Sequence, residues 1–531
     1  MTGRNFLKGA FILSFAGVLI KLMGAVYRIP LARLIGGEGM GLYQMAYPVY
    51  TMILALSTAG IPVAISLLVS EKEALGDFRG ARRVFLVSLV MLALVGLAFT
   101  LLLFFNSYWL ASHVLYDERA FYPLIAICPA IFITAVSSAF RGYFQGNQTM
   151  VPTAISQVFE QLFRVLTVLV MAYFLLSYGV EFAAAGATFG AVTGSVASLI
   201  VLLIFYMLFS WRGRGKADRA SSKGEPFASL LGRIIIIAVP LSLGGLVMPI
   251  MQVIDATIVP LRLQAAGHSM ARATELFGQF SGMANTLINL PTIVTISLAV
   301  SLVPAISEAM AKKRPAQVKS LIDAAIWVTV LLCLPSAVGL WLLSTPIARF
   351  LYGIPEVGLS IAVLAPTTLL LGLYQATSGA LQGTGKTYLP VKNLLIGVML
   401  KGTLNYYLVG LPSLGIKGAG IATLVGFTVA LLLNYRDVKK HMGFSLSWYK
   451  SIFTPMIGTA VMSFLVIRVY YAVVNSFGNS AAVLLSIAVG GLSYLLVILL
   501  LGGIKVKDLE LIPGVGAKFS KLLQKFKIVR R

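Results

Sequence analysis

Charged residues are scarce in this chain of 531 residues, since Asp, Glu, Lys and Arg together make up only 11%. A soluble globular protein carries roughly 25% charged residues, whereas 58% of this chain is hydrophobic and its mean hydropathy is +0.91. So few polar side chains cannot cover a surface that faces water. The composition therefore excludes a soluble globular protein and indicates one embedded in a membrane, with little length left for a large extramembrane catalytic domain.

Cysteine and histidine are also rare. The two cysteines lie inside apolar stretches, and the three histidines have no second ligand at metal spacing, so the sequence predicts neither a disulfide framework nor a metal centre. It also contains no P-loop, no H-E-x-x-H and no C-x-x-C. We therefore predict a protein that is not an enzyme and holds no cofactor. Without a nucleotide site, any transport must be driven by an ion gradient, the membrane potential or substrate flux.

Long apolar runs are the most abundant feature. Hydropathy windows of about 19 residues predict an all-α integral membrane protein with fourteen spans. The spans lie near residues 6–28, 42–69, 83–106, 121–141, 151–177, 183–210, 233–260, 273–305, 322–345, 359–382, 388–411, 415–435, 450–474 and 480–503. Most of the 42 Lys and Arg residues fall at the amino terminus, in the even-numbered loops and in the carboxyl tail. Because cytoplasmic loops are enriched in Lys and Arg, both termini are predicted to be cytoplasmic.

The net charge of +24 is explained by this topology. Basic clusters beside a membrane attract anionic lipid headgroups by about 1 kcal/mol per charge, so membrane lipids are expected partners and nucleic acid is not.

Three short markers recur in the same order, at offsets of 234 to 241 residues. They are QGNQTMVP at 145–152 with QGTGKTYLP at 382–390, Ala-Ile-Ser at 64–66 and 305–307, and the small residues 184–186 with 418–420. This common offset predicts two parallel six-helix repeats. Such repeats form two lobes with a substrate path between them. The predicted parts are a lobe over 1–210, a cytoplasmic basic loop over 211–232, a lobe over 233–436, two further spans over 450–503 and a basic amphipathic cytoplasmic tail over 504–531.

Six ionisable side chains fall away from the ends of the predicted spans, at mid-span positions where an ionised group costs roughly 2.5–3.5 kcal/mol. The cations are Lys21, Arg164, Lys401 and Arg468, and the acids are Glu160 and Asp255. Since the cations outnumber the acids, we predict an electropositive cavity for an anionic substrate. The residues predicted to line it are Lys21, Arg28, Arg164 and Lys401. Glu160 and Arg164 share one helical face, which suits a structural ion pair as well as a transport site.

Four neutral or acidic residues are predicted to support that cavity. Gln157 and Glu160 lie near Arg164 in the fifth span, whereas Asn285 and Asn289, four residues apart, could bind sugar hydroxyls or bond neighbouring helices. Asp255 stands alone as an acid in its span, which motivates the hypothesis that it couples transport to sodium or protons.

Three segments carry a resemblance to a known family. They are RGYFQGNQTMVPTAISQVFEQLFRV at 141–165, GAVYRIPLARLIGGEGMGLYQ at 24–44 and LPTIVTISLAVSLVPAISEA at 290–309. The chain resembles the polysaccharide-biosynthesis proteins of the MATE-like flippase superfamily, the family of stage V sporulation protein B, to which MurJ lipid II flippases are related. The resemblance implies two six-helix lobes plus two helices, a plasma-membrane location, and export of a lipid-linked precursor of spore cortex peptidoglycan.

MurJ-type flippases hold an anionic headgroup with arginines of their first, second and eighth helices. Arg28 falls near the arginine of the first helix, but the second span has no arginine and the core of the eighth has none. The resemblance therefore implies that Lys21, Arg28, Arg164 and Lys401 supply the positive field.

Three other functions fit parts of the pattern. A MATE-type multidrug or ion antiporter would share the fold, although carriers of cations favour acidic cavities. A non-transporting scaffold could recruit cell-wall synthases through the inward loops and the tail. An integral-membrane glycosyltransferase is disfavoured by the lack of acidic motifs in the loops.

Overall fold

The structure, a computed structural model, describes residues 16–58, 60–213, 225–443 and 452–502. All regular elements in these ranges are helical. The helices are α1 (16–26), α2 (Arg28–Thr58), α3 (Ile61–Ala74), α4 (Phe78–Trp109), α5 (Phe121–Ile127), α6 (Pro129–Gly146), α7 (Val151–Leu175), α8 (Val180–Gly213), α9 (Phe227–Ala265), α10 (Met270–Phe277), α11 (Asn285–Ala311), α12 (Pro315–Leu342), α13 (Ser344–Tyr352), α14 (Val357–Leu364), α15 (Thr367–Gly383), α16 (Tyr388–Val409), α17 (Ile416–Met442) and α18 (Thr454–Leu500). A π-helical segment, Gly278–Ala284, joins α10 to α11.

Many of these helices are long and apolar enough to cross a membrane. By length and composition, ten helical stretches of the described residues qualify, or eleven if the bent pair α14 and α15 forms one span. The all-helical membrane fold predicted from the sequence is thereby confirmed. The number fourteen stays a prediction.

Helix α18 illustrates why spans and helices need not correspond one to one. Its 47 residues, at about 1.5 Å each, would reach roughly 70 Å, more than twice the apolar thickness of a bilayer. Gly478 interrupts it with φ 77° and ψ 173°, a backbone conformation that glycine adopts without steric cost. The break falls between the predicted spans 450–474 and 480–503. Gly36 divides α2 in the same way, with φ 68° and ψ −171°.

The helices are grouped into two compact units. The first contains the described residues up to Met283 together with Leu404–Ile416, and the second contains Ala284–Thr403 and the described residues from Lys417 onward. In the first unit, α3, α4, α6, α8 and α9 bury a core in which the Phe85 ring lies 5.0 Å from that of Phe140 and 4.8 Å from that of Tyr143. In the second, α11, α12, α15, α16 and α17 contribute to an aliphatic core that includes Ile306, Ile322 and Leu381.

The structure covers only some of the predicted parts of the chain, and it changes the bounds of the predicted cytoplasmic loop. Helix α8 continues to Gly213 and α9 begins at Phe227, so both extend into the predicted loop over 211–232. The middle of that loop and the predicted tail over 504–531 lie outside the described residues. The predicted lobe boundaries at 210, 233 and 436 stay predictions.

Glycines allow the start of α2 to approach α10 and the π-helical segment closely. A Cβ on Gly41 would overlap the carbonyl oxygen of Thr274, and a Cβ on Gly278 would overlap the carbonyl oxygen of Gly37. Small residues four apart let membrane helices approach backbone to backbone, as Gly37 and Gly41 do here. Nearby, the side chain of Gln44 donates to the carbonyl oxygen of Ser281 at 3.1 Å.

Candidate functional site

A row of glycines on α8 fixes the position of the charged residues on α7. Gly186, Gly190 and Gly194 are spaced four apart, and Cβ atoms on the last two would lie 2.9 Å from the carbonyl oxygen of Arg164 and 2.5 Å from that of Glu160. Because only glycine leaves room for this approach, α7 packs closely against α8 at the level of Glu160 and Arg164. Arg164 lies near the middle of α7, in a stretch that is long and apolar enough to span a membrane.

Glu160 connects two arginines. Arg141 Nη2, on α6, donates to Glu160 Oε2 at 2.6 Å, and Arg164 Nη2 donates to Glu160 Oε1 at 2.8 Å. The same Arg141 nitrogen donates to the hydroxyl of Ser198 on α8 at 2.7 Å. Both arginine side chains are 14% exposed. The carboxylate thus bridges α6 and α7 while each guanidinium retains donors that these bonds do not use.

Three tyrosines, two on α2 and one immediately before it, connect Arg164 with Arg28. Arg164 Nη1 lies 3.3 Å from the hydroxyl of Tyr47, whose ring stacks on that of Tyr43 with centroids 5.5 Å apart. The Tyr43 hydroxyl is 3.0 Å from that of Tyr27, and Arg28 forms a side-chain hydrogen bond with Tyr27. Two of the predicted cavity residues, Arg28 and Arg164, are thereby brought into one polar network of the first unit. We call Arg28, Arg141, Glu160 and Arg164, with Tyr27, Tyr43 and Tyr47, the arginine cluster.

This cluster is electropositive in an apolar setting. It contains three guanidinium groups and one carboxylate, which leaves a net charge of +2. Arginine presents its donors in a planar fork that matches the oxygens of phosphate. The arrangement can therefore hold a phosphate-bearing group among apolar helices, where an uncompensated charge would be costly.

The remaining predicted cavity residues occupy different surroundings. Lys21, on α1, is exposed, and Gln157, on α7, is half-buried. Lys401 belongs to the second unit, where it is 3% exposed and its Cβ faces Gly426 of α17. A place for Lys21 and Lys401 in a cavity with the arginine cluster stays a prediction.

The two asparagines of α11 bond to each other. Asn289 Nδ2 donates to the carbonyl oxygen of Asn285 at 2.8 Å and to its side-chain oxygen at 3.2 Å. Both are half-buried. This pairing within one helix occupies part of the hydrogen-bonding capacity that was predicted for sugars.

Asp255 has a partner that its own helix does not reveal. Asn405 Nδ2, on α16, donates to Asp255 Oδ1 at 2.8 Å, and both residues are buried. The side-chain oxygen of Asn405 is buried and makes no hydrogen bond within the described part of the chain. Oxygen atoms of this kind are ligands for hard cations. Among the described residues, no group of three or more His, Cys, Asp or Glu could hold a metal ion.

Arg141, Ser198 and Tyr47 were not singled out from the sequence. Arg141 is the last residue of the predicted fourth span, 121–141, and was not among the cations predicted within the spans. In the structure α6 continues to Gly146, so Arg141 lies within a helix. Ser198 and Tyr47 carry no signal of their own in an apolar helix. The spacing of Gly186, Gly190 and Gly194 was the available signal that α8 lies against α7.

The second unit contains an apolar cavity of about 420 Å³. Helices α11, α12 and α18 and the segment around α13 contribute its lining, which includes Leu332, Pro335, Met462 and Gly490. The hydroxyl of Tyr494 at its wall donates to the carbonyl oxygen of Leu331 at 2.8 Å, so this polar group is satisfied within the protein. The cavity therefore suits a hydrocarbon chain.

Comparison with known proteins identifies the family. Residues 6–310, more than half of the chain, match the family described as Polysaccharide biosynthesis protein. The chain belongs to this family. Residues 281–407 also match the family described as MatE. The resemblance inferred from the three sequence segments is confirmed.

Two relatives that resemble the chain over nearly its full length are named as a sporulation protein and as a flippase. Stage V sporulation protein B of Bacillus subtilis (strain 168) is 34% identical, over 97% of this chain and 99% of the relative. The lipid II flippase MurJ of the same organism is 27% identical, over 92% and 94%. A solved structure of lipid II flippase MurJ in an inward closed conformation shares the fold, with a TM-score of 0.68 at 17% identity, over 92% of this chain and 98% of that one. The protein is thus a multi-pass membrane protein that is similar to a flippase and to a sporulation protein.

Proposed function

We propose that the protein is an alternating-access flippase that moves an undecaprenyl-pyrophosphate-linked cell-wall precursor, lipid II, across the plasma membrane for spore cortex peptidoglycan. The observation that carries this proposal is the arginine cluster, with its net charge of +2, among helices apolar enough to span a membrane. A diphosphate carries about two negative charges, and taking it through lipid without compensation is prohibitive. Guanidinium donors of Arg28 and Arg164 would replace its water, since charge-assisted bonds to phosphate are among the strongest in proteins.

The direction of transport follows from the same charges. The membrane potential contributes about 2.3 kcal/mol per charge per 100 mV. Two negative charges moving outward from an inside-negative cell therefore gain about 4.6 kcal/mol per 100 mV. Export needs no nucleotide under these conditions.

The apolar cavity of the second unit supports a place for the lipid part of the substrate. Its volume of about 420 Å³ lies within the range of roughly 300–1,000 Å³ that is common for ligand sites. Helix α18, which contains the two spans predicted outside the repeat, contributes Met462, Gly490 and Tyr494 to it. In the proposed architecture of two six-helix lobes plus two helices, with both termini cytoplasmic, these last helices would guide the prenyl chain.

Asp255 and Asn405 are proposed to couple transport to an ion. A carboxylate beside a buried amide oxygen supports sodium or proton binding that resets the carrier after release. Lys21 and Lys401 are proposed to extend the positive field of the cavity, and cell-wall synthases are proposed as partners that consume the exported precursor.

The decisive test is reconstitution of the purified protein in liposomes with fluorescent lipid II. We expect wild type to flip the lipid and Arg164→Ala and Lys21→Ala to lose about tenfold or more of the rate, because each removes a cation from the path. Lys312→Ala is the matched control, since Lys312 is an exposed lysine paired with Glu308 at the end of α11. Inactivity of the wild type on lipid II would refute the proposal.

A MATE-type antiporter is the second candidate, favoured by the match of residues 281–407 to the MatE family. Such a carrier would export a cationic dye from the same liposomes. Dye transport without lipid II transport would establish it in place of the flippase.

A further inference from the structure

We propose that Glu160 acts as an internal stand-in for the substrate's phosphate, pairing with Arg164 while the site is empty and yielding Arg164 to the phosphate on binding. Arg141 retains the displaced carboxylate. This inference rests on the proposed function, because it assumes that the arginine cluster receives a phosphate-bearing headgroup.

The two oxygens of Glu160 serve different arginines. Oε2 accepts from Arg141 at 2.6 Å and Oε1 accepts from Arg164 at 2.8 Å. Loss of the second bond therefore does not require loss of the first. The carboxylate can turn away from Arg164 while it remains bound to Arg141, so that it is never left as an isolated buried charge, which would be costly.

The two arginines are anchored to different degrees. Arg141 is also held by the hydroxyl of Ser198 at 2.7 Å, and Ser198 is fully buried between helices. The other hydrogen bond of Arg164, to the half-buried Tyr47, is longer at 3.3 Å. Arg141 is thus the fixed partner of Glu160, and Arg164 is the partner that can change its ligand.

Arg164 retains a donor suited to a phosphate oxygen. Its Nε is buried and makes no hydrogen bond within the described residues. A guanidinium that offers Nε and one terminal nitrogen side by side binds an anion through two parallel hydrogen bonds. Glu160 contacts Arg164 only through Nη2, so the carboxylate does not use this bidentate geometry and a phosphate could gain it.

A removable counter-ion has a clear consequence for transport. Without it, two buried arginines would bind a diphosphate so tightly that release on the far side would be slow. With it, the carboxylate competes for Arg164 and returns as the phosphate leaves. Glu160 would therefore be a positioning residue that lowers affinity in exchange for turnover.

The sign of one substitution distinguishes this role from a purely structural ion pair. Glu160→Gln keeps the shape of the side chain but removes the competing charge. We expect the purified full-length variant to bind inorganic pyrophosphate about tenfold more tightly than wild type and to flip fluorescent lipid II more slowly. A structural brace predicts the opposite effect on binding, because the arginines would lose the group that orients them.

Two further variants complete the experiment. Arg141→Gln frees Glu160 to pair with Arg164 alone, so we expect weaker pyrophosphate binding, and this effect should shrink in the double variant with Glu160→Gln, because the two residues act through one carboxylate. Glu308→Gln is the matched control, since Glu308 also pairs with a cation four residues later but is exposed. It should change neither binding nor flipping.

Each outcome decides between the two proposals. Unchanged or weaker pyrophosphate binding by Glu160→Gln, with lipid II flipping intact in wild type, overturns the stand-in role and leaves the proposed function standing. If wild type neither binds pyrophosphate nor flips lipid II, the proposed function fails and this inference fails with it. If Glu160→Gln is less stable, the rise in its melting temperature caused by pyrophosphate is compared with that of wild type, and a smaller rise also overturns the role.

Discussion

Substitution of Gly194 tests whether the packing of α8 against α7 sets the geometry of the arginine cluster. A Cβ at this position would lie 2.5 Å from the carbonyl oxygen of Glu160 and 3.1 Å from the Cβ of Arg164. An ordinary contact requires about 3.5 Å, so Gly194→Ala must move α7 away from α8 by roughly 1 Å. Arg164 and Glu160 would move together because both lie on α7.

This movement would weaken the hydrogen bond between α6 and α7. Arg141 on α6 donates to Glu160 at 2.6 Å, and a displacement of about 1 Å would lengthen this contact beyond hydrogen-bond distance. Misplacement of this size can cost about 100-fold in rate, so we expect lipid II flipping in liposomes to fall by about 10- to 100-fold. Overpacking should also lower the free energy of unfolding by about 1–3 kcal/mol.

Gly232→Ala is the control for the same change of residue type in the same unit. Gly232 lies on α9, and a Cβ there would meet nothing within 4 Å. The control should retain wild-type flipping and stability. Wild-type flipping by Gly194→Ala, in protein that melts at the wild-type temperature, would refute the argument that this contact positions the cluster.

Three other substitutions test separate parts of the molecule. Gly278→Ala should lower the melting temperature and the rate of flipping, because a Cβ there would overlap the backbone of α2. Thermal melts would measure the loss of stability, and a stable, active variant would contradict the close contact. Asp255→Asn should remove the dependence of flipping on sodium and pH, measured in liposomes with controlled ion gradients, and an unchanged dependence would exclude coupling at this carboxylate. Gly339→Leu, at a lining position where a Cβ would meet nothing within 4 Å, should reduce flipping of lipid II by filling the apolar cavity while leaving pyrophosphate binding unchanged, and unaltered flipping would argue against a tail in that cavity.

The fold was largely predictable because its signals are local. Apolar runs, the basic loops and the short markers near 145–152 and 382–390 can all be read along the chain. The break at Gly478 also falls where two spans had been separated. Contacts between helices that are distant in sequence could not be predicted in this way, because two residues in such a contact have no fixed separation along the chain.

In the candidate site, too, contacts within one helix were predictable and contacts between helices were not. Glu160 and Arg164 were paired correctly because they are four residues apart on one helix. Arg141, 19 residues before Glu160, was missed because its position depends on how α6 packs against α7. Asp255 looked isolated for the same reason, since its partner Asn405 is 150 residues away.

The predicted repeat gives the charge of the arginine cluster a further meaning. Ser378 follows Arg141 by 237 residues and Asn434 follows Ser198 by 236, within the offsets of the sequence markers. In the second unit, Asn434 Nδ2 donates to Ser378 Oγ at 2.9 Å, and Asn393 Nδ2 donates to Asn434 Oδ1 at 2.9 Å. Asn393 Nδ2 also donates to Asp437 Oδ2 at 2.8 Å. Helices α15, α16 and α17 thus share a buried polar contact, as α6, α7 and α8 do, but one built from amides, a hydroxyl and a carboxylate and without arginine. A contact needed only to hold three helices together can be made without arginine, so the charges of the first unit call for an explanation beyond packing, and an anionic substrate supplies one.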